Sequence, residues 1–148
     1  MGNKIMLTLS ESMSSRAALD YFVHLALCPD DLDVVLVHVF RKPSGGEELM
    51  GKKYMKKQPA RHRKLLEAAR DKLVQKGLYP ERIEIKLVEE PYQTIADGII
   101  DQAKKIKPSM VIIGRKRMSK AEEFVLGDIS IKLVRALEGM AILVVKMK

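Results

Sequence analysis

Two glycines bracket the residues of this chain best placed to do chemistry. Residues 112–130 read "IIGRKRMSKAEEFVLGDIS". A β-branched apolar run stops at Gly114, a charged loop follows, and Gly127 opens what reads as a helix. Strand, glycine-bearing loop and helix start together make an anion cradle. Glycine lets backbone approach a ligand, and the first turn of a helix presents unpaired N–H groups. The loop carries the cations Lys116 and Arg117, and Asp128 and Ser130 stand at the helix start. Asp128 works against the cradle. Its carboxylate accepts from the same first-turn donors that a phosphate would use, and like charges a few Å apart in a partly wet site cost on the order of 1–4 kcal/mol per pair. Lys116, Arg117 and Lys120 offset part of that repulsion.

A second polar segment, Ser10-Glu11-Ser12, follows the first apolar run. In an open doubly wound sheet, ligands sit beyond the carboxyl ends of the strands, where strand order reverses. If the first and fourth strands flank that point, Ser10 and the loop after Gly114 line one crevice.

Other candidates fall away. Residues 46–53, "GEELMGKK", spell Gly-x4-Gly-Lys, but Lys53 stands where a P-loop needs Ser or Thr for magnesium. Glu47 and Glu48 would face the phosphates, and Pro59 is expected to stop any helix from running far before it. His24, His38 and His62 show no metal-ligand spacing. His38 lies inside an apolar strand and reads as a buried ring with its hydrogen bonds satisfied. Cys28 is the one cysteine, so it makes no internal disulfide and reads as a small apolar residue. No general base, nucleophile and metal ligands converge, so the reading is a protein without catalytic activity, with slow ATP hydrolysis as the one chemistry left open.

The elements that must position these residues alternate along the chain. "KIMLTLS" (4–10) reads as a strand and residues 11–27 as a helix, with Ala18, Phe22, Leu25 and Ala26 on one face and Ser12, Ser14 or Ser15 as its cap. "DVVLVHVF" (33–40) is a nearly continuous apolar strand, which implies cover on both faces. Residues 41–59 read as a long loop and 60–77 as an amphipathic helix, with Leu65, Leu66, Ala69, Leu73 and Val74 inward and Gly77 as its stop. Then follow a strand (82–90), a helix begun near Pro91 (91–108), a buried strand (109–114), a helix (128–139) and a last strand (140–146). Five strands separated by helices make an α/β domain with a parallel sheet and right-handed crossovers.

At 148 residues the chain suits a single domain, 1–148. Aromatic residues are 5% with no Trp, so the core must be aliphatic. The net charge of +8 is local, because residues 51–64 carry seven Lys or Arg and no acid. That run suits an acidic partner, whereas nucleic acid is disfavoured because Tyr54 alone offers an aromatic ring for stacking. No apolar run approaches the ~20 residues that span a bilayer, and the first residues lead directly into a strand pattern. Met6 occupies the position where a myristoylation motif wants Ser or Thr. A cytoplasmic protein is expected, with no membrane contact.

Gly-x-x-Gly-x9-Gly-Ser after the fourth strand is the ATP-binding signature of the universal stress protein family, and this chain resembles that family along nearly its whole length. The similarity is carried by "KIMLTLSESMSSRAALDYF", "VVLVHVF" and "MVIIGRKRMSKAEEFVLGDISIKLVRALEGMAILVVK". The resemblance implies a Rossmann-like three-layer sandwich whose five-stranded parallel sheet has the order 3-2-1-4-5. It also implies homodimers paired through the last strand, here Ala141, Ile142, Leu143, Val144 and Val145. A bare apolar edge there favours the same pairing. Some members bind ATP or AMP and others do not. Gly114 and Gly127 match the first and third glycines of the signature, and Ser130 matches the later hydroxyl. Val39 matches the residue beside the base, and Ile113 and Ile129 match flanking backbone positions. Three positions depart: Arg117 stands for the second glycine, Asp128 for Ser or Thr, and Ser10 for the Asp that ends the first strand of nucleotide-binding members. The expectation is therefore a dimeric stress-response module whose crevice is degraded at Ser10, Arg117 and Asp128 and which needs no cofactor. The alternative is a switch that binds ATP or AMP, with magnesium, through Gly114, Gly127, Ser130 and the nearby cations.

Overall fold

The computed structural model describes residues 3–10, 12–25, 27–41, 52–116, 119–126 and 128–147. Arg117 and Gly127 of the expected cradle, and residues 46–51 of the false P-loop, lie outside them. The strands are β1 (Asn3–Thr8), β2 (Leu32–Arg41), β3 (Ile83–Tyr92), β4 (Met110–Arg115) and β5 (Ala141–Lys146). The helices are α1 (Met13–His24), α2 (Lys52–Gln75), α3 (Ile95–Ile106), α4 (Lys120–Leu126) and α5 (Ile129–Ala136). Short 3₁₀ turns, each opened by a proline, lead into β2 and β3 at Pro29–Asp31 and Pro80–Arg82.

The five strands form one sheet in the order β3-β2-β1-β4-β5, and every pairing is parallel. Leu7, at the centre, pairs with Leu36 on one side and Ile112 on the other. Side chains alternate across a strand, so β2 feeds both cores. Val34 and Leu36 join Phe22 of α1 and Leu66, Ala69 and Leu73 of α2. Val35, Val37 and Val39 join Ile99 and Ala103 of α3 and Leu133 of α5. Fully buried side chains such as Leu7, Leu36 and Leu133 each contribute about 1.5–3 kcal/mol relative to exposure. Both faces of the sheet are covered, which is why its central strands read as unbroken apolar runs.

Four local expectations need correction. First, α2 begins at Lys52, not at residue 60, and holds Pro59 inside it. Proline removes one interior donor about two turns into the helix, and the buried stripe His62, Leu66, Ala69 and Leu73 fixes the helix downstream. The basic run 51–64 thus falls mainly on a helix. Second, the stretch read as a charged loop before Gly127 contains α4, where the Ser119 hydroxyl accepts from the Glu122 N–H at 3.2 Å. Third, Pro91 belongs to β3 and does not open a helix. As an edge strand, β3 tolerates a residue with no N–H, and α3 starts later, at the Thr94 cap. Fourth, α1 stops at His24 with Leu25 as its C-cap; Leu25 still packs beside Ala18 and Phe22, and Ala26 lies outside the described residues. Gly77 does follow α2, at a φ of 101° that favours glycine. No helix among the described residues is long and apolar enough to cross a membrane.

Candidate functional site

A crevice of about 360 Å³ opens beyond the carboxyl ends of β1 and β4, the point where the chain's strand order reverses. Ser10, Val39, Ile113, Gly114, Lys116, Asp128, Ile129 and Ser130 all border it. The sheet therefore brings together every expected site residue that is described.

One corner is built by the turn from β1 into α1. Ser12 caps α1, its hydroxyl accepting from the Ser15 N–H at 3.2 Å. Around that cap runs a chain of hydroxyls. Ser10 Oγ lies 2.8 Å from Ser12 Oγ, and Ser12 Oγ lies 3.0 Å from Ser14 Oγ. Ser15 Oγ accepts from the Ser10 N–H at 2.8 Å and from Ser10 Oγ at 3.3 Å. This corner is polar without an ionised side chain among its described residues.

The opposite corner is built by β4 and the start of α5. Asp128 is the N-cap of α5: its Oδ1 accepts from the Ser130 N–H at 2.9 Å and from the Ser130 hydroxyl at 2.6 Å. Its Oδ2 lies 2.8 Å from Arg115 Nη2, and the Asp128 side chain is only 8% exposed. Burial pushes the Asp128 carboxyl up. Hydrogen bonds from the Ser130 side chain and backbone, the Arg115 charge and the Ile131 N–H outweigh burial and hold it below the usual 3.8. The carboxylate is thus ionised, and the helix tip is occupied by the chain itself.

Gly114 joins the two corners. A Cβ on it would stand 2.0 Å from the Ser14 carbonyl oxygen. The glycine is therefore required by the close passage of α1 over β4, with or without a ligand. Between the corners lie the apolar side chains Val39, Ile95, Ile99, Ile113 and Ile129.

His38 also borders the crevice. It is buried, and its Nδ1 sits 2.8 Å from the Leu9 carbonyl. Facing an acceptor, that nitrogen must carry the proton. The ring stacks on His62 of α2 with centroids 3.9 Å apart and planes 25° apart, and Phe40 meets both rings edge-on at 5.0 Å. The satisfied-ring reading of His38 holds. No group of His, Cys, Asp and Glu among the described residues has metal-binding geometry.

Sequence reasoning missed Arg115, the Ser14–Ser15 hydroxyls as a wall, and Ile95 and Ile99. A signal existed for Arg115, the first of three consecutive cations directly after the strand glycine. None marked Ile95 and Ile99, which read as ordinary helix residues.

The sequence profile described as "Universal stress protein family" matches residues 1–146. No curated protein matches the chain by sequence alone. Among solved structures, a universal stress protein in complex with cAMP is similar at a TM-score of 0.65 and 16% identity, covering 97% of this chain and 95% of that one. A universal stress protein family protein from Arabidopsis thaliana, with AMP bound, is similar at 0.64 and 17%, covering 99% and 92%. The universal stress protein UspA from Lactobacillus plantarum is similar at 0.67 and 11%, covering 97% of each chain. At these identities the structures speak for the fold. The profile match over nearly the whole length carries the assignment: this chain belongs to the universal stress protein family.

Proposed function

We propose that this chain is a non-catalytic regulatory module of the stress response whose crevice is closed to nucleoside phosphates. The observation that carries the reading is Asp128 at the tip of α5. Its carboxylate takes the Ser130 N–H and pairs with Arg115, so an arriving phosphate must displace a charge of its own sign from donors already in use. Ser10 offers a hydroxyl where nucleotide-binding members carry a carboxylate. A second reading, a switch driven by ATP or AMP, draws support from the relatives whose structures contain cAMP and AMP. It is also supported by the space still open between the corners and by the exposed Lys116 at the rim.

Calorimetric titration with ATP and AMP, each with magnesium, separates the two. The unmodified protein should show no micromolar binding, and Asp128→Ser, alone or with Arg117→Gly, should gain it. Micromolar affinity in the unmodified protein would establish the switch, and phosphate release above a heat-killed control would make it an enzyme.

The module is further proposed to act as a homodimer through β5. The strand's outer edge is unpaired in the sheet order, and Ile142, Leu143, Val144 and Val145 along it are only partly buried. Antiparallel pairing with a second copy would satisfy its backbone and cover those side chains. Sedimentation equilibrium should give twice the chain mass, and Val144→Lys should give the single mass. A monomer at all concentrations would refute the pairing.

A further inference from the structure

We propose that the amino-terminal half of α2 is a docking ridge for an acidic segment of another protein. The inference is independent of what the crevice binds. It starts from one helix whose two halves are charged differently. Residues 52–64 hold seven Lys or Arg and no Asp or Glu, whereas residues 67–75 hold two of each sign, Glu67 and Asp71 beside Arg70 and Lys72. At about 100° of turn per residue, the seven cations fall within one half of the helix circumference. The buried stripe His62, Leu66, Ala69 and Leu73 runs along the opposite side, and Arg63 and Lys64 are exposed. The line of cations therefore lies on the side of α2 turned away from the sheet.

This pattern works against the helix that carries it. The amino end of a helix is the positive end of its dipole and favours acids, yet the first turn of α2 has none and begins Lys52-Lys53. Lys52 and Lys56 stand four residues apart, as do Lys53 and Lys57, and like charges at that spacing repel. Folding alone gains nothing from such an arrangement. An anionic partner laid along the ridge reverses both effects at once, because it meets the cations and the positive end of the helix together.

The surroundings select the kind of anion. At a rise of ~1.5 Å per residue the ridge is about 18 Å long, and acids close it off. Glu67 and Asp71 are exposed further along α2, and Glu89 is exposed on β3, a strand that α2 packs against. A nucleic-acid duplex or a lipid surface carries uniform charge and would run on into those acids. A lipid surface also wants an apolar helix face to insert, and the apolar stripe of α2 is already spent on the core. A second copy of this chain does not fit, because it contains no more than two consecutive acids anywhere. A short acidic segment, three to four turns if helical, matches the ridge in length and sign.

The test titrates the full chain with a labelled Glu-rich peptide of about twelve residues, a labelled DNA duplex of similar length and vesicles containing phosphatidylserine, all at ~0.15 M ionic strength. The peptide should bind more tightly than the duplex or the vesicles, and its amide shifts should centre on residues 52–64. Lys52→Glu with Lys56→Glu should weaken the peptide at least about tenfold. Those variants should fold, since acids suit the amino end of a helix, and an undiminished melting temperature checks this. Lys104→Glu with Lys132→Glu makes the same change in net charge on exposed sites away from α2 and should weaken the peptide by less than about twofold. Equal weakening by the two pairs would overturn the proposal, because net charge alone would then explain binding. Tighter binding of the duplex or the vesicles would overturn it in favour of that surface. Silence of the peptide up to ~1 mM, or shifts centred outside residues 52–64, would also overturn it.

Discussion

The two corners of the crevice meet the same requirement with opposite chemistry. Each must fill the amino end of a helix. At α1 the filler is the neutral Ser12, set in a chain of hydroxyls. At α5 it is the charged Asp128, held by Ser130 and Arg115. Both caps accept a first-turn N–H, Ser12 from Ser15 at 3.2 Å and Asp128 from Ser130 at 2.9 Å. What differs is the consequence of removal. Loss of Ser12 frees N–H groups beside other hydroxyls that can turn toward them. Loss of Asp128 strips a counter-charge from a guanidinium that is only 24% exposed. A helix tip is thus not an anion site merely by being a helix tip: its availability depends on what the chain has already placed there.

Substitutions can break or sharpen this contrast. The largest effect belongs to Gly114, the hinge between the corners. Gly114→Ala would press a methyl group to 2.0 Å from the Ser14 carbonyl oxygen, a backbone atom that cannot swing aside. A loss of about 3 kcal/mol or more in chemical denaturation is expected; a loss under ~1 kcal/mol would mean that the corners can part. Next, Asp128→Ala should cost about 2–3 kcal/mol, as cap and ion pair vanish together, whereas Ser12→Ala should cost about 1 kcal/mol. Equal losses would dissolve the distinction between the corners. The smallest effect is on pH dependence. The Asp128 carboxyl is lowered in the folded chain, so the unfolded chain takes up its proton first as pH falls. Its contribution is therefore complete above the unfolded value, close to the usual 3.8, and is lost as pH drops through the lower folded value. Asp128→Asn should flatten that part of the acid limb, and Ser12→Ala should leave its shape unchanged.

Periodicity made the sheet legible. The β2 run and the helical stripe Leu66, Ala69, Leu73 declare their burial in their spacing, and the resemblance supplied the strand order. The first turns of α2 were hidden because lysines and a proline carry no apolar period. Pro91 misled because its fixed φ suits a helix start and a strand edge alike. Within the crevice, Asp128 was readable as a cap because capping is local in sequence. Its partner Arg115 lies on a different element, so the ion pair exists only once β4 and α5 are brought together. Gly98 shows the same limit: a Cβ there would stand 2.2 Å from Val39 Cγ1 and 2.8 Å from Tyr92 Cδ2, a crowding that no local pattern announces.

The sheet has two unequal margins. Along β3, the backbone shifts register near Val39 and Arg41, Pro91 offers no donor, and Glu84 and Glu89 stand exposed. Along β5, nothing between Ala141 and Val145 interrupts the backbone or adds charge. If a second copy pairs along β5 as proposed, a β3 margin that resists pairing would let a closed pair form without propagating into a fibre. On that proposal, the proline that disturbs the pattern of β3 would set a ceiling on how large a strand-mediated assembly could grow.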